Sequence, residues 1–457
     1  MNITADTIFA LSSGRPPAAI AVVRVSGPQA GAALQALIGK IPAPRQAALA
    51  RVRDPASGEM IDEALALWFP GPRSETGEDT VELQLHGGRA VIAAVLAALG
   101  RIPGCRPAEA GEFTRRAFEN GRLDLTRVEG LADLIGADTE AQRRQAFQQM
   151  RGMLGDRAED WRQRLIEALA LVEARIDFSD EGDVPEDLIA PALARARELR
   201  DEIAQTLSDQ RRGERLREGL VVAIAGPPNA GKSSLLNRIA RRDAAIVSPF
   251  AGTTRDVIEV HLDLDGYPVT LLDTAGIRDS ADPVEREGVR RARERATGAD
   301  LVLWILDAAA GGEIAVDAIG QEFPNNAKWI VWNKIDLVSI LRIKTLKSLV
   351  YNLDYPSYFI STINESGFGE FLTALAEHAR QYLGSTEPAL VTRERHRRAL
   401  EDVVAALDRA LSEPSPTREE VVAEELRLAG RALGRLTGRV DVEDILDVIF
   451  RDFCIGK

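Results

Sequence analysis

The feature that most constrains this chain is a glycine-bounded loop set between two kinds of periodicity. Gly226-Pro227-Pro228-Asn229-Ala230-Gly231-Lys232-Ser233 satisfies G-x-x-x-x-G-K-[ST] at every fixed position. An apolar run, Val221 to Ala225, leads in, and a helical pattern begins near Ser233. The backbone N–H groups of such a loop wrap phosphates, Lys232 neutralises β/γ oxygens, and the Ser233 hydroxyl reaches Mg²⁺. Further strand-like runs at Val269 to Asp273, Leu301 to Asp307, Trp329 to Asn333 and Tyr358 to Ser361 alternate with helical patterns. That alternation predicts a mostly parallel, doubly wound sheet with helices on both faces. One exception is expected. Ile258, Val260, Leu262 and Leu264 alternate with polar residues, and Asp265-Gly266 then predicts a hairpin turn.

The strand ends of this block carry chemistry in a fixed order. Asp273-Thr274-Ala275-Gly276 puts a carboxylate near the Mg²⁺ shell and the Gly276 N–H near a γ-phosphate. In Asn333-Lys334-Ile335-Asp336, the Asp336 carboxylate can accept from both N1–H and the 2-amino group of guanine, a pattern adenine lacks. Gly252-Thr253-Thr254-Arg255 lies between, where a loop must supply a hydroxyl to Mg²⁺. Together these imply a guanine-nucleotide site. Ile277 follows Gly276 where Ras-like switches carry a water-orienting glutamine, and an aliphatic group cannot do that work. Asn229 offers an amide oxygen to a monovalent cation, which would take the electrostatic place of an arginine finger. Asp279, Asp282, Glu285 and Glu287 are the nearby carboxylates available to act on water.

The flanks differ. At 457 residues the chain is long enough for roughly three domains of about 150 residues. Residues 1–120 alternate strand signals (Ile20 to Val25, Ala64 to Phe69, Val81 to Leu85) with a helix at Arg89 to Leu99, an α/β or α+β pattern. From Thr126 the signal is helical: Thr126 and Glu129 have capping-box spacing, and Leu165, Leu169, Val172 and Ile176 form one stripe. Helical texture returns near Arg393 to Leu411, Arg418 to Leu436 and Val442 to Phe453. The reading is multidomain α/β plus all-α: residues 1–120, a helical domain from 121–216 and 384–457, and a Ras-like domain inserted at 217–383. Cys105 and Cys454 exclude a disulfide framework and suggest no zinc cluster, no run approaches the roughly 20 apolar residues of a membrane span, and a reducing cytoplasm is the expected setting. A net charge of −13 argues against adhesion to nucleic acid by bulk charge.

The nucleotide motifs resemble the translation-factor-like class of GTPases, with Ser361-Thr362-Ile363 in place of the usual base-contacting S-A-K. A GTPase module set within helices, Gly77-Glu78-Asp79, Leu85-His86-Gly87-Gly88 and the ending Phe453-Cys454-Ile455-Gly456-Lys457 together resemble the MnmE (TrmE) family of tRNA-modification GTPases, over essentially the whole chain. The resemblance implies a GTP hydrolase with Mg²⁺ on Ser233 and Thr254. It implies K⁺ held by the Asn229 side chain, Ser248, Phe250 and Thr253, and a water-orienting glutamate at Glu285. Nucleotide contacts would run through Asn229, Ala230, Gly231, Lys232, Ser233, Ser234, Ser248, Thr253, Thr254, Asp273, Thr274, Ala275, Gly276, Asn333, Lys334, Asp336 and Ser361.

It also implies an N-terminal folate-binding-like domain that forms a homodimer, and a complex with an FAD-dependent GidA-type enzyme acting on C5 of the wobble uridine of certain tRNAs. Arg24, Glu82, Arg122 and Lys457 fall on the positions that contact a tetrahydrofolate derivative (5-formyl or methylene form), and Cys454 on the family's functional cysteine. Read without the resemblance, Arg24 and Glu82 are strand-edge charges. His86 is a hydrogen-bonding residue rather than a ligand. Arg143-Arg144, Arg211-Arg212 and Arg397-Arg398 are either helix-surface charges or tRNA contacts. A ribosome-assembly or signalling switch remains the alternative, because nucleotide motifs read only phosphate and guanine.

Overall fold

The computed structural model of the chain describes residues 6–177, 188–209, 211–241, 245–246, 259–273, 297–310, 326–350, 355–384, 388–412, 419–440, 443–451 and 453–456. Ser248, Phe250, Thr253, Thr254, Thr274, Ala275, Gly276, Asp279, Asp282, Glu285, Glu287 and Lys457 lie outside the described residues. The chain divides into two compact units: Met1–Ala132 with Gln149–Ile203 and Ala399–Lys457, and Asp133–Gln148 with Ala204–Arg398.

The first unit opens with β1 (Thr7–Leu11), β2 (Ile20–Ser26), α1 (Ala30–Ile38), β3 (Ala48–Arg53), β4 (Met60–Phe69), β5 (Thr80–His86), α2 (Arg89–Gly100) and β6 (Cys105–Pro107). The strands form one sheet in the order β3-β4-β5-β2-β1-β6, antiparallel except for the β1–β6 pair. Period-two alternation sets its faces. Val81, Leu83 and Leu85 of β5 and Val23 and Val25 of β2 are buried with Ala33, Leu34 and Leu37 of α1 and Val95, Ala98 and Leu99 of α2. Arg24 and Glu82 therefore point to the opposite face. They sit on adjacent interior strands, so they are not the edge charges that the bare sequence suggests.

Helices continue as α3 (Glu112–Glu119), α4 (Leu125–Ile135), α5 (Glu140–Met150), α6 (Met153–Asp177), α7 (Ile189–Leu207) and α8 (Arg212–Glu218). The capping box expected at Thr126 is displaced. Asp124 caps α4 instead, its Oδ1 accepting from the N–H groups of Thr126 and Arg127 at 2.9 and 3.1 Å and from the Thr126 hydroxyl at 2.6 Å. A carboxylate is both a strong acceptor and the better match to the helix's positive end. Thr126 and Glu129 are buried within the helix. The α6 stripe is also rotated: Trp161, Leu165, Ala168 and Val172 are the buried residues, while Leu169 and Ile176 flank them half-buried.

The second unit is built around β7 (Leu220–Ala225), α9 (Lys232–Ala240), β8 (Ala245–Ile246), β9 (Glu259–Leu264), β10 (Tyr267–Asp273), β11 (Leu301–Asp307), β12 (Ala327–Asn333), α10 (Ile340–Val350), β13 (Ser357–Phe359) and α11 (Phe368–Leu383). Its sheet runs β13-β12-β11-β7-β10-β9-β8, parallel from β13 through β10 and antiparallel at β9 and β8. The strands read as continuous apolar runs because both faces are covered. Leu235 and Ile239 of α9 and Phe371 and Leu375 of α11 pack with Val222 and Ile224, whereas Leu346 of α10 joins Ala223 and Val302. The Asp265-Gly266 hairpin is present, with φ of 53° and 88° and Leu264 paired to Tyr267. Those two positive angles are what a two-residue primed turn requires. The chain ends with α12 (Glu394–Leu411), α13 (Glu419–Thr437) and α14 (Glu443–Arg451). The architecture is thus an N-terminal α+β domain, helices, and a Ras-like doubly wound domain. Among the described residues no helix is long and apolar enough to cross a membrane.

Candidate nucleotide and N-terminal sites

The parallel strands deliver the nucleotide motifs to one edge of the sheet. β7 runs into the phosphate loop and α9 leaves it at Lys232. Gly226 and Gly231 hold φ of 133° and 97°, and each is pressed against a neighbour. A Cβ at Gly226 would lie 2.3 Å from the Ile305 carbonyl oxygen, and one at Gly231 would lie 2.2 Å from Asn333 Nδ2. Both conformation and space therefore demand glycine. Lys232 Nζ donates to the carbonyls of Gly226 and Pro227 at 2.7 and 3.0 Å, which centres its charge on the loop.

Ser233 and Asp273 come together from separate elements, with Ser233 Oγ 3.4 Å from Asp273 Oδ2. Asp273 is 5% exposed. A hydroxyl and a carboxylate so placed suit a hard divalent cation.

Asn333, 1% exposed, is structural: its Nδ2 donates to the Ala230 carbonyl at 3.0 Å and its Oδ1 accepts from the Lys334 N–H at 2.8 Å. Lys334, at φ 62°, bridges outward, Nζ donating to the Asn229 carbonyl and to Asp307 Oδ2, each at 2.7 Å. Asp336 stands exposed on a short 3-10 turn, Ile335–Leu337.

Asp307 is a residue that the sequence reading missed. It ends β11, in parallel register with Asn333 of β12. Burial alone would raise its carboxyl, but Lys334 and the N–H groups of Ala309 and Ala310 hold it below the usual range. The signal was available: it is the last residue of a buried apolar strand, level with the neighbouring motif. Ser361 is fully buried, and its Oγ accepts from the N–H groups of Ile363 and Asn364 at 3.2 Å each. Its side chain thus shapes its own loop.

A second charged cluster occupies the face of the N-terminal sheet away from α1 and α2. Arg24 Nε and Nη2 donate to Glu82 Oε1 at 3.1 and 2.8 Å, across the register that pairs β2 with β5. Arg24 Nη1 meets Glu75 Oε2 at 2.5 Å, a partner that sequence spacing did not reveal. The guanidinium lies 5.8 Å from the Phe113 ring centre. Arg122 is exposed, its stem beside Gly77 on the loop that carries Glu75. Beneath that loop Arg116, 1% exposed, joins Glu78 and Glu112 at 3.1 and 3.0 Å, and Ser26 Oγ donates to Glu78 at 2.8 Å. The C-terminal tail reaches the same domain: Ile455 bridges Ala110, and Ser12 Oγ donates to the Gly456 carbonyl at 2.8 Å. Cys454 is exposed on this tail, and neither described cysteine is in a disulfide.

The remaining sequence candidates resolve simply. His86 is exposed and pairs through Nδ1 with Asp62 at 2.7 Å. Arg143 and Arg144 are exposed and each reaches Glu140 at 2.7 Å. Arg397 is not a helix-surface charge: it is buried between Glu214 and Asp209 at 2.8 and 2.9 Å. No group of three or more potential metal-binding side chains occurs among the described residues.

Two family models match: the MnmE helical domain over residues 125–454 and the GTP-binding protein TrmE N-terminus over residues 7–122. A relative from Rhodopseudomonas palustris (strain BisB18), described as tRNA modification GTPase MnmE, is 58% identical over 459 residues, covering 100% of each chain. A protein of the same description from Bradyrhizobium sp. (strain ORS 278) is 59% identical over 452 residues, with 99% of each chain covered. Among solved structures, a variant of Aquifex aeolicus Era bound to GDP.AlF4- is 25% identical and covers 43% of this chain and 68% of that one, with a TM-score of 0.29.

Proposed function

This chain belongs to the MnmE family of tRNA-modification GTPases, and from that membership we propose that it is a K⁺-activated GTP hydrolase acting with an FAD-dependent, GidA-type partner. The pair builds a carboxymethylaminomethyl-type group on C5 of the wobble uridine of certain tRNAs. A GTPase acting in tRNA modification displaces the alternative of a ribosome-assembly switch. The single observation that carries the cation reading is Asn229: it stands at φ 62° within the phosphate loop, exposed, with its carbonyl tied to Lys334 Nζ at 2.7 Å.

The chain's own groups divide the work. The loop N–H groups and Lys232 offset charge on the β- and γ-phosphates. Ser233 and Asp273 supply hard oxygens that fit Mg²⁺, with Thr254 completing the set. The Asn229 amide oxygen, with Ser248, Phe250 and Thr253, would hold K⁺, and an uncharged oxygen set would suit that ion. When bound, both cations supply positive charge where negative charge builds up in the transition state. Glu285 orients the attacking water, since Ile277 cannot. Asp336 reads guanine. On the N-terminal domain Arg24, Glu82, Arg122 and Lys457 would hold the folate derivative, which would supply the one-carbon unit, and Cys454 falls on the family's functional cysteine. The homodimer brings two GTPase domains together, and hydrolysis releases that contact.

Hydrolysis is expected to be about 100-fold faster in K⁺ than in Na⁺, and equal rates would remove the cation from the mechanism. Glu285→Ala should slow single-turnover hydrolysis by about 100-fold with nucleotide affinity retained. Mass spectrometry of tRNA nucleosides from a deletion strain should show loss of the modified wobble uridine.

A further inference from the structure

We propose that Glu75 is a gating residue for the N-terminal ligand site: it occupies the Arg24 guanidinium edge that an acceptor oxygen of the folate derivative takes on binding. The inference rests on the folate reading of Arg24 given above. Arg24 is only 15% exposed, and its fork is divided between two carboxylates. Glu82 engages Nε and Nη2 from the neighbouring strand, and cross-strand register fixes that pair. Glu75 engages Nη1 from a loop, at 2.5 Å, and is itself 49% exposed.

The two carboxylates differ in how firmly they are held. The residues beside Glu75 are anchored: Ser74 and Thr76 are buried, and Thr76 Oγ1 lies 2.7 Å from Ser26 Oγ. The backbone at residue 75 is thereby fixed while its carboxylate reaches over the arginine from the solvent side. A half-exposed ion pair is weak and readily exchanged, unlike the register-locked pair. With both acids engaged the trio carries a net charge of −1, which also repels an anionic ligand. Glu75 must swing outward for the ligand to enter, and ligands too weak to displace it are rejected.

The test measures equilibrium binding of 5-formyltetrahydrofolate to the full-length protein, with thermal melting as the folding control. Glu75→Ala should tighten binding by about fivefold, the cost of displacing one exposed pair, and Glu75→Gln by less. Gln preserves size and hydrogen bonding, so it sorts charge from packing. Arg24→Ala should weaken binding in every background and abolish the gain from Glu75→Ala. Unchanged or weaker binding in both Glu75 variants, with Arg24→Ala still damaging, would overturn the gate and leave the folate reading standing. Unchanged binding in Arg24→Ala would overturn the folate reading, and the gate with it.

Discussion

In the seven-stranded sheet, β7, β10, β11 and β12 all run parallel and finish at one edge. Gly226, Asp273, Asp307 and Asn333 arrive there simply because each closes or follows a strand. In the six-stranded sheet, by contrast, Arg24 and Glu82 lie mid-strand and meet only because antiparallel register sets β2 against β5. The first arrangement presents main-chain donors and a few side chains at strand tips, suited to phosphate and base. The second presents charges on a face, beside a loop whose Glu78 is tied, together with Glu112, to the buried Arg116. Strand ends make a site through connectivity, whereas a sheet face makes one through pairing.

That contrast can be broken most forcefully at Arg116. Arg116→Leu leaves Glu78 and Glu112 without their shared cation and is expected to destabilise the protein by about 3–5 kcal/mol, read from urea unfolding. A loss below about 1 kcal/mol would mean that the face does not depend on the network. At the strand tips, Asp336→Ala would, on the proposed reading of guanine, remove two charge-assisted hydrogen bonds and should weaken GTP binding by about 100-fold in a titration. Asp307→Ala sharpens the point, because it leaves Asp336 in place and removes the carboxylate partner of Lys334, along with the acceptor of the Ala309 N–H, while the Lys334 bond to the Asn229 carbonyl stays. A loss of about fivefold in GTP affinity is expected, and none would show that Lys334 needs no such partner.

The smallest effect concerns acid. Burial favours the neutral form of Glu112, yet Arg106, the Glu109 N–H and Arg116 outweigh it and hold the carboxyl below its ordinary range. The folded protein therefore binds this proton more weakly than the unfolded chain. Its stabilisation is complete above about pH 4.3 and is lost as pH falls through the lower folded value. Glu112→Gln should flatten the stability–pH curve of unfolding in that acidic window.

The legible parts were those encoded locally. Apolar runs alternating with helical patterns foretold the parallel sheet, and Asp265-Gly266 foretold the hairpin, because backbone angles and strand ends depend on a few consecutive residues. The helix that starts after Asp124 was also foreseen, but its cap was placed two residues late, since spacing alone does not rank a carboxylate against a hydroxyl. Side chains joined across the chain were not legible: Glu75 on Arg24, Asp307 on Lys334, and the burial of Arg397 between Asp209 and Glu214. The amino-acid order by itself determined where strands end and therefore where the phosphate-loop and guanine-type motifs stand. Only the tertiary structure decided which charge answers which, because ion pairing between distant segments depends on register, burial and packing that no short stretch contains.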